Sequence, residues 1–187
     1  MTAAFEAALV AQCAPTLASV KPANLFRFRG GIEQTHREAK RWDRALAPRG
    51  VRVRVLKECP ATDACMVYVY RESWVARLLA EEENRAFLEK AGYCPGNLSA
   101  LLDQLSRRLC LEQEYPHEIG VFLGYPLQDV VGFIENRGRN YTCCGYWKAY
   151  GNPEAARRCF ARYRRCTEIY QQHYTKGIPL IKLVAAA

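Results

Sequence analysis

No apolar run in the 187 residues approaches the roughly 18–20 that a membrane-spanning helix needs, so a chain folded in water is expected. No C-x-x-C pair frames a metal knuckle. Nine cysteines are an odd number and fall below the density of a secreted disulfide scaffold. Reduced thiols and a cytoplasmic setting are therefore expected. Export is not expected either. Ala7 to Cys13 superficially looks like a lipoprotein signal, but Glu6 stands before it, no Lys/Arg region opens it, and Gln12 occupies the place of a small residue. With no internal repeat and no low-complexity linker, residues 1–187 read as a single domain.

Half of the residues are apolar and a quarter charged, the balance of a folded globular chain. Residues 3–13 form a short amphipathic helix that Pro15 is expected to end. Leu25 to Arg29 is a strand candidate. Ile32, His36, Ala39, Trp42 and Leu46 recur at helical spacing up to the stop signals Pro48 and Gly50. This places His36 on an apolar stripe, as a partly buried structural histidine.

Val51 to Val55 alternates valine with arginine, which predicts a strand with valines inward and Arg52 and Arg54 in solvent. Cys65 to Tyr70 is apolar on both faces and reads as a more central strand, antiparallel to it. Glu72 to Ala91 is helical with a break near Glu83-Asn84, and Gly92 stops it. Asn97 caps a helix carrying Leu98, Leu101, Leu102, Leu105 and Leu109. Gly145 to Tyr150 is a further strand candidate. Asn152-Pro153-Glu154 opens a last helix reaching about Lys176. The fold class is α+β, a small and mainly antiparallel sheet of about five short strands packed with about six helices.

The densest stretch is Tyr115 to Glu135. Ile119-Gly-Val-Phe-Leu123 predicts a buried strand, and Gly124-Tyr125-Pro126 turns it into a helix that carries Asp129. Unpaired backbone N–H groups at that helix start suit an anion. By strand rise His117 then lies about 17 Å from Gly124, and strand alternation points His117 and Glu118 to opposite faces. A catalytic His117 would need a carboxylate from elsewhere, with Asp129, Glu135 or Asp103 as candidates. Cys13, with Lys21 nearby, is a nucleophile candidate, but its place near a helix C-terminus favours a buried, unreactive thiol.

Several of these segments occur together in one known family: Cys13-Ala-Pro-Thr-Leu-Ala18 with Lys21-Pro-Ala-Asn-Leu-Phe26; His117-Glu-Ile-Gly120 through Gly124-Tyr-Pro126, Asp129-Val130 and Gly132-Phe-Ile134; and Cys144-Gly-Tyr-Trp-Lys148 with Tyr150-Gly151. On these motifs almost the whole chain resembles the bacterial domain of unknown function 3793 family (DUF3793), found largely in anaerobic Firmicutes. The resemblance implies a single-domain cytosolic bacterial protein and supplies no reaction or cofactor. Ala149 stands where that family tends to have a β-branched residue, which bears on packing only.

Three functional classes follow. The leading one is a pocket for a small phosphate- or carboxylate-bearing ligand, built from Gly124, Tyr125 and Asp129 with Lys148, Lys21 and Arg139 as polar lining, and with His117 as an acid–base residue if there is catalysis. The second is a nucleic-acid or acidic-partner surface. Residues 135–165 hold eight positive residues against Glu135 and Glu154, and Arg158, Arg162 and Arg165 share one face of the last helix among tyrosines. The third is thiol redox or metal chemistry through Cys143, Cys144, Cys159 and Cys166. There the matching core stripe (Ala156, Phe160, Tyr163, Tyr170) favours plain packing, and no metal is assigned.

Overall fold

The structure, a computed structural model, describes residues 2–111 and 115–186. Its frame is a three-stranded antiparallel sheet of β1 (Ala23–Phe28), β2 (Val51–Cys59) and β3 (Ala64–Arg71), ordered β1-β3-β2. The central strand is the one that is apolar on both faces, and each of its faces is covered by a core. Cys65, Val67 and Val69 face one core, with Phe5, Leu9, Trp42 and Leu46. Tyr68 and Tyr70 face a second, with Leu79, Leu102, Leu105 and Phe122. Sheet alternation thus sorts one strand's side chains into two cores.

The first core is closed by α1 (Thr2–Leu17) and α2 (Ile32–Leu46), the second by α3 (Glu72–Ala80), α4 (Glu82–Lys90) and α5 (Leu98–Leu111). The break between α3 and α4 is at Glu81, and Asn97 caps α5 by accepting from the Ala100 amide at 3.0 Å. Strand alternation gives Val53 to the first core and Leu56 to the second, and the register shifts between Val55 and Lys57.

Several expectations are corrected. Arg52 and Arg54 are half-buried ties between elements instead of solvent groups. The Arg52 guanidinium donates to Asp43 of α2 at 2.8 Å, and Arg54 pairs with Asp103 of α5. α1 runs through Pro15, which sits in its last turns, where its carbonyl accepts from Val20 and Lys21 at 2.8 and 3.0 Å. His36 is exposed and pairs with Glu58 at 2.7 Å. The largest change is in the Tyr115–Glu135 stretch. Ile119–Phe122 is a short helix, α6, followed by α7 (Leu127–Glu135). A five-residue run that is wholly apolar has no period to read. Here it is buried on all sides, and the Tyr68 hydroxyl donates to the Phe122 carbonyl.

The remaining elements are a two-stranded ribbon, β4 (Cys143–Cys144) with β5 (Lys148–Ala149), the long helix α8 (Pro153–Thr175) and α9 (Leu180–Leu183). α8 lies on α1 and starts as expected, the Asn152 side chain accepting from Glu154 and Ala155. Among the described residues no helix is long and apolar enough to cross a membrane.

One buried cation joins the ends of this arrangement. Arg71, at the end of β3, is 1% exposed. Its guanidinium donates to the carbonyls of Thr16 (2.8 Å), Leu17 (2.8 Å), Ala185 (3.0 Å) and Arg49 (3.5 Å). The first two are carbonyls at the C-terminus of α1, where the helix dipole favours positive charge. Arg71→Met is expected to strand these acceptors and lower stability by about 3 kcal/mol or more, read as a fall in the urea midpoint; a loss under about 1 kcal/mol would contradict the role.

Candidate functional site

The α6 turn decides where the candidate residues meet. Ile119, Gly120 and Val121 amides bond back to Pro116, His117 and Glu118, and the Tyr125 amide returns to Gly120 at 2.9 Å. A chain coiled at helical rise covers about 1.5 Å per residue instead of 3.3 Å. Gly124 then reverses it with φ +73°, and its Cα sits so close to Pro22 that a Cβ would lie 2.6 Å from the Pro22 ring. The histidine end and the Tyr125 end of the stretch, separated in the strand reading, therefore line the same cavity.

That cavity has a volume of about 380 Å³. Aromatic rings form much of its wall: Tyr115, Tyr125, Phe133 and Trp147. Tyr125 stacks on Trp147 with centroids 4.9 Å apart, and Trp147 meets Phe160 edge-on at 4.6 Å. The polar lining includes His117, Lys148, Cys144 and Asp129. The His117 ring lies between Phe133 (4.8 Å) and Tyr115 (5.9 Å). Lys148 Nζ donates to the Gly138 carbonyl at 2.8 Å and stands 5.1 Å from the Tyr141 ring centre.

Asp129 holds these parts together. It is 4% exposed; Oδ1 accepts from the Tyr150 and Gly151 amides at 2.7 and 2.9 Å, and Oδ2 from the Trp147 indole N–H at 2.8 Å. Both oxygens are thus occupied by the ribbon, which makes Asp129 an anchor for Trp147 and Lys148 and leaves it unsuited to touching an anion. Among the described residues no carboxylate hydrogen-bonds His117. Asp103 pairs with Arg54, Asp129 with the ribbon, and Glu135 is exposed. His117 and Glu118 do diverge, for a reason other than strand alternation: they stand on successive positions of a turn, and Glu118 is buried against the Tyr93 hydroxyl (3.1 Å) and Arg108 (3.4 Å).

The other sequence candidates lie elsewhere. Gly124 and the start of α7 are outside the cavity wall, which takes the flank of α7 (Asp129, Val130, Phe133) instead. Arg139 is exposed beyond it. Lys21 lies behind the wall, 2% exposed, with Nζ 5.0 Å from the Tyr125 ring centre and 6.0 Å from that of Tyr163. Burial pulls its pKa down to about 8, partly offset by Cys13 and Cys159. Burial likewise pushes the Cys13 thiol far above its ordinary value, so Cys13 is a core group.

All nine cysteines are free thiols, and among the described residues no cluster of His, Cys, Asp and Glu is arranged to hold a metal. Cys159 and Cys166 are half-buried on α8, whose Ala156, Phe160, Tyr163 and Tyr170 are buried, while His173 is exposed. Arg157, Arg158, Arg162, Arg164 and Arg165 are all exposed on that helix. Sequence reasoning missed Cys144 and Phe133 as cavity residues. Cys144 could have been found from the ribbon register, since a two-residue ribbon alternates its faces.

A pH test isolates Lys21. Its folded pKa lies below its unfolded value, so the folded state resists protonation. The penalty is absent above about pH 10.5, grows as pH falls toward 8 and is complete below that. Lys21→Met is therefore expected to raise the denaturation midpoint at pH 7, by up to about 3 kcal/mol. The gain should shrink between pH 8 and 10.5; a gain independent of pH would refute the assignment.

The comparisons agree with the motif resemblance. The family described as "Protein of unknown function (DUF3793)" matches residues 9–184. The comparisons with curated proteins and with solved structures each found no match. With the match extending over nearly its whole length, this chain belongs to the DUF3793 family.

Proposed function

We propose that the cavity between α6, α7 and the β4–β5 ribbon binds a small planar anion, an aromatic ring carrying a carboxylate or phosphate. The observation that carries this reading is the pairing of aromatic walls with Lys148, an ammonium that no carboxylate among the described residues neutralises. Rings favour a flat apolar body through offset or edge-on contact. A single cation at the rim fixes the orientation of a charged end, the usual division of labour in a small-molecule site. His117, set between two rings without an orienting carboxylate, acts here as a stacking and hydrogen-bonding group, and binding is the activity assigned.

Calorimetric titration with naphthoate and with phenyl phosphate separates the carboxylate and phosphate sources of the charge. At least one is expected to bind at about 100 μM or tighter. Lys148→Met should weaken it about tenfold or more, and His117→Ala should abolish detectable binding while changing stability by no more than about 0.5 kcal/mol. Failure of both anions to bind, or a collapse of the thermal midpoint in His117→Ala, would remove the reading.

The arginine face of α8 supports a second reading as a nucleic-acid surface, because all five arginines are exposed. Two of them pair only with carboxylates of the same helix, Arg158 with Glu154 at 3.9 Å and Arg165 with Glu168 at 3.5 Å. Such exposed pairs contribute less than about 1 kcal/mol, and phosphates can displace them. Affinity for single-stranded RNA should then fall steeply with salt, and Arg158→Glu with Arg162→Glu should abolish it; salt-insensitive or absent binding excludes this surface.

A further inference from the structure

In the ribbon Cys144 stands directly opposite Lys148, and Cys143 opposite Ala149. Directly opposed residues of an antiparallel pair project from the same face, with Cβ atoms about 5 Å apart, while successive residues take opposite faces. Cys144 and Lys148 accordingly both line the cavity, together with His117. Cys143 packs instead against the small cluster of Ala149, Ala156 and Phe160. The adjacent cysteines are therefore not a joint site: one is packing, and the other is an exposed thiol beside a fixed cation in an aromatic cavity.

We infer that Cys144 is the reactive thiol of this cavity and takes up small aromatic anionic disulfides by thiol–disulfide exchange. Lys148 supplies the selection for negative charge. The inference rests on the anion-binding reading above and names a chemistry for the same site. The Cys144 sulfur attacks one sulfur of the bound disulfide and a mixed disulfide forms on Cys144. The original S–S bond breaks, its electron pair leaves on the departing aryl thiolate, and the Cys144 proton goes to solvent. The bound disulfide is the oxidant, so the exchange balances without a further reactant. The nucleophile is the thiolate, and a neighbouring ammonium raises the local concentration of an anionic reagent. Cys94 and Cys110, also exposed, lie outside this cavity's lining and serve as internal references.

The test treats fully reduced protein with limiting dithiobis(nitrobenzoate) and, separately, with neutral dithiodipyridine, and maps the modified cysteine by peptide mass spectrometry. Cys144 is expected to react with the anionic reagent about tenfold faster than Cys94 or Cys110. Lys148→Met should slow that reaction about tenfold and the neutral one by less than about threefold, and Lys148→Arg should keep the preference. Equal rates at Cys94, Cys110 and Cys144 would overturn the inference, as would a Lys148→Met effect equal for both reagents. Sulfur-free naphthoate, titrated into the wild-type protein, separates the two claims. If it binds and Cys144 is unselective, the thiol assignment alone falls. If Cys144 is selective and neither naphthoate nor phenyl phosphate binds, the exchange chemistry stands and the reversible binding site does not.

Discussion

The carboxylate of Asp129 is the interaction on which the cavity depends. A ribbon of two residues per strand has too few ladder bonds and too little apolar face to stand alone. It is held because a buried carboxylate takes the two amides after β5 and the Trp147 indole at once. A carboxylate accepting several N–H groups is a strong, charge-assisted anchor, and in this site it fixes three things together. Trp147 is set against Tyr125, Lys148 is brought over the turn at Gly138, and Cys144 is carried opposite Lys148 by the ladder. Its charge is satisfied internally, so the positive end of the cavity is left to Lys148.

Behind that wall the core is built to keep the site's neighbours in place. Tyr125 belongs to both regions: one face stacks on Trp147 and the ring also covers Lys21. Burial disfavours the charged form of both groups across this boundary. Lys21 is desolvated toward its neutral form, and burial, the larger effect on Tyr125, pushes its phenol up to about 12. With a pKa of about 8 Lys21 keeps its charge at neutral pH, but it lies behind the wall, and the cation that lines the cavity is Lys148. Further back, Arg71 closes the end of α1 onto β3 and the C-terminal segment. The same residue that caps α1 thereby fixes the Lys21–Pro22 turn on which Gly124 packs.

Much of the frame was legible in the residues. The strands around Val51 to Val55 and Cys65 to Tyr70, the cap at Asn152 and the stop at Gly92 are local signals with local causes: side-chain alternation, an Asn oxygen for free amides, a left-handed glycine. The α6 segment was not legible, because Ile119 to Leu123 is apolar at every position and its conformation is chosen by contacts from several directions. Gly120 illustrates the point: a Cβ there would meet Val130 at 2.7 Å and Tyr125 at 3.2 Å. The glycine thus serves the close approach of α7, a tertiary demand that no window of five residues expresses.

The same error of conformation displaced the site. With a strand between them, His117 and the α7 start are two ends of an element, and the anion belongs at the helix start. With a helical turn between them, His117 and the flank of α7 share a wall, and the helix start drops out of it. Asp129 then changes role from ligand contact to anchor, since its oxygens are consumed by the ribbon. Lys148 becomes the cation that faces the cavity, and the sequence-adjacent pair Cys143-Cys144 splits into a packed residue and a presented one. The chemistry proposed for this site therefore depends less on which residues the motif contains than on the ribbon register, because a shift of one residue would put Cys143 on the face of Lys148 and turn Cys144 away from it.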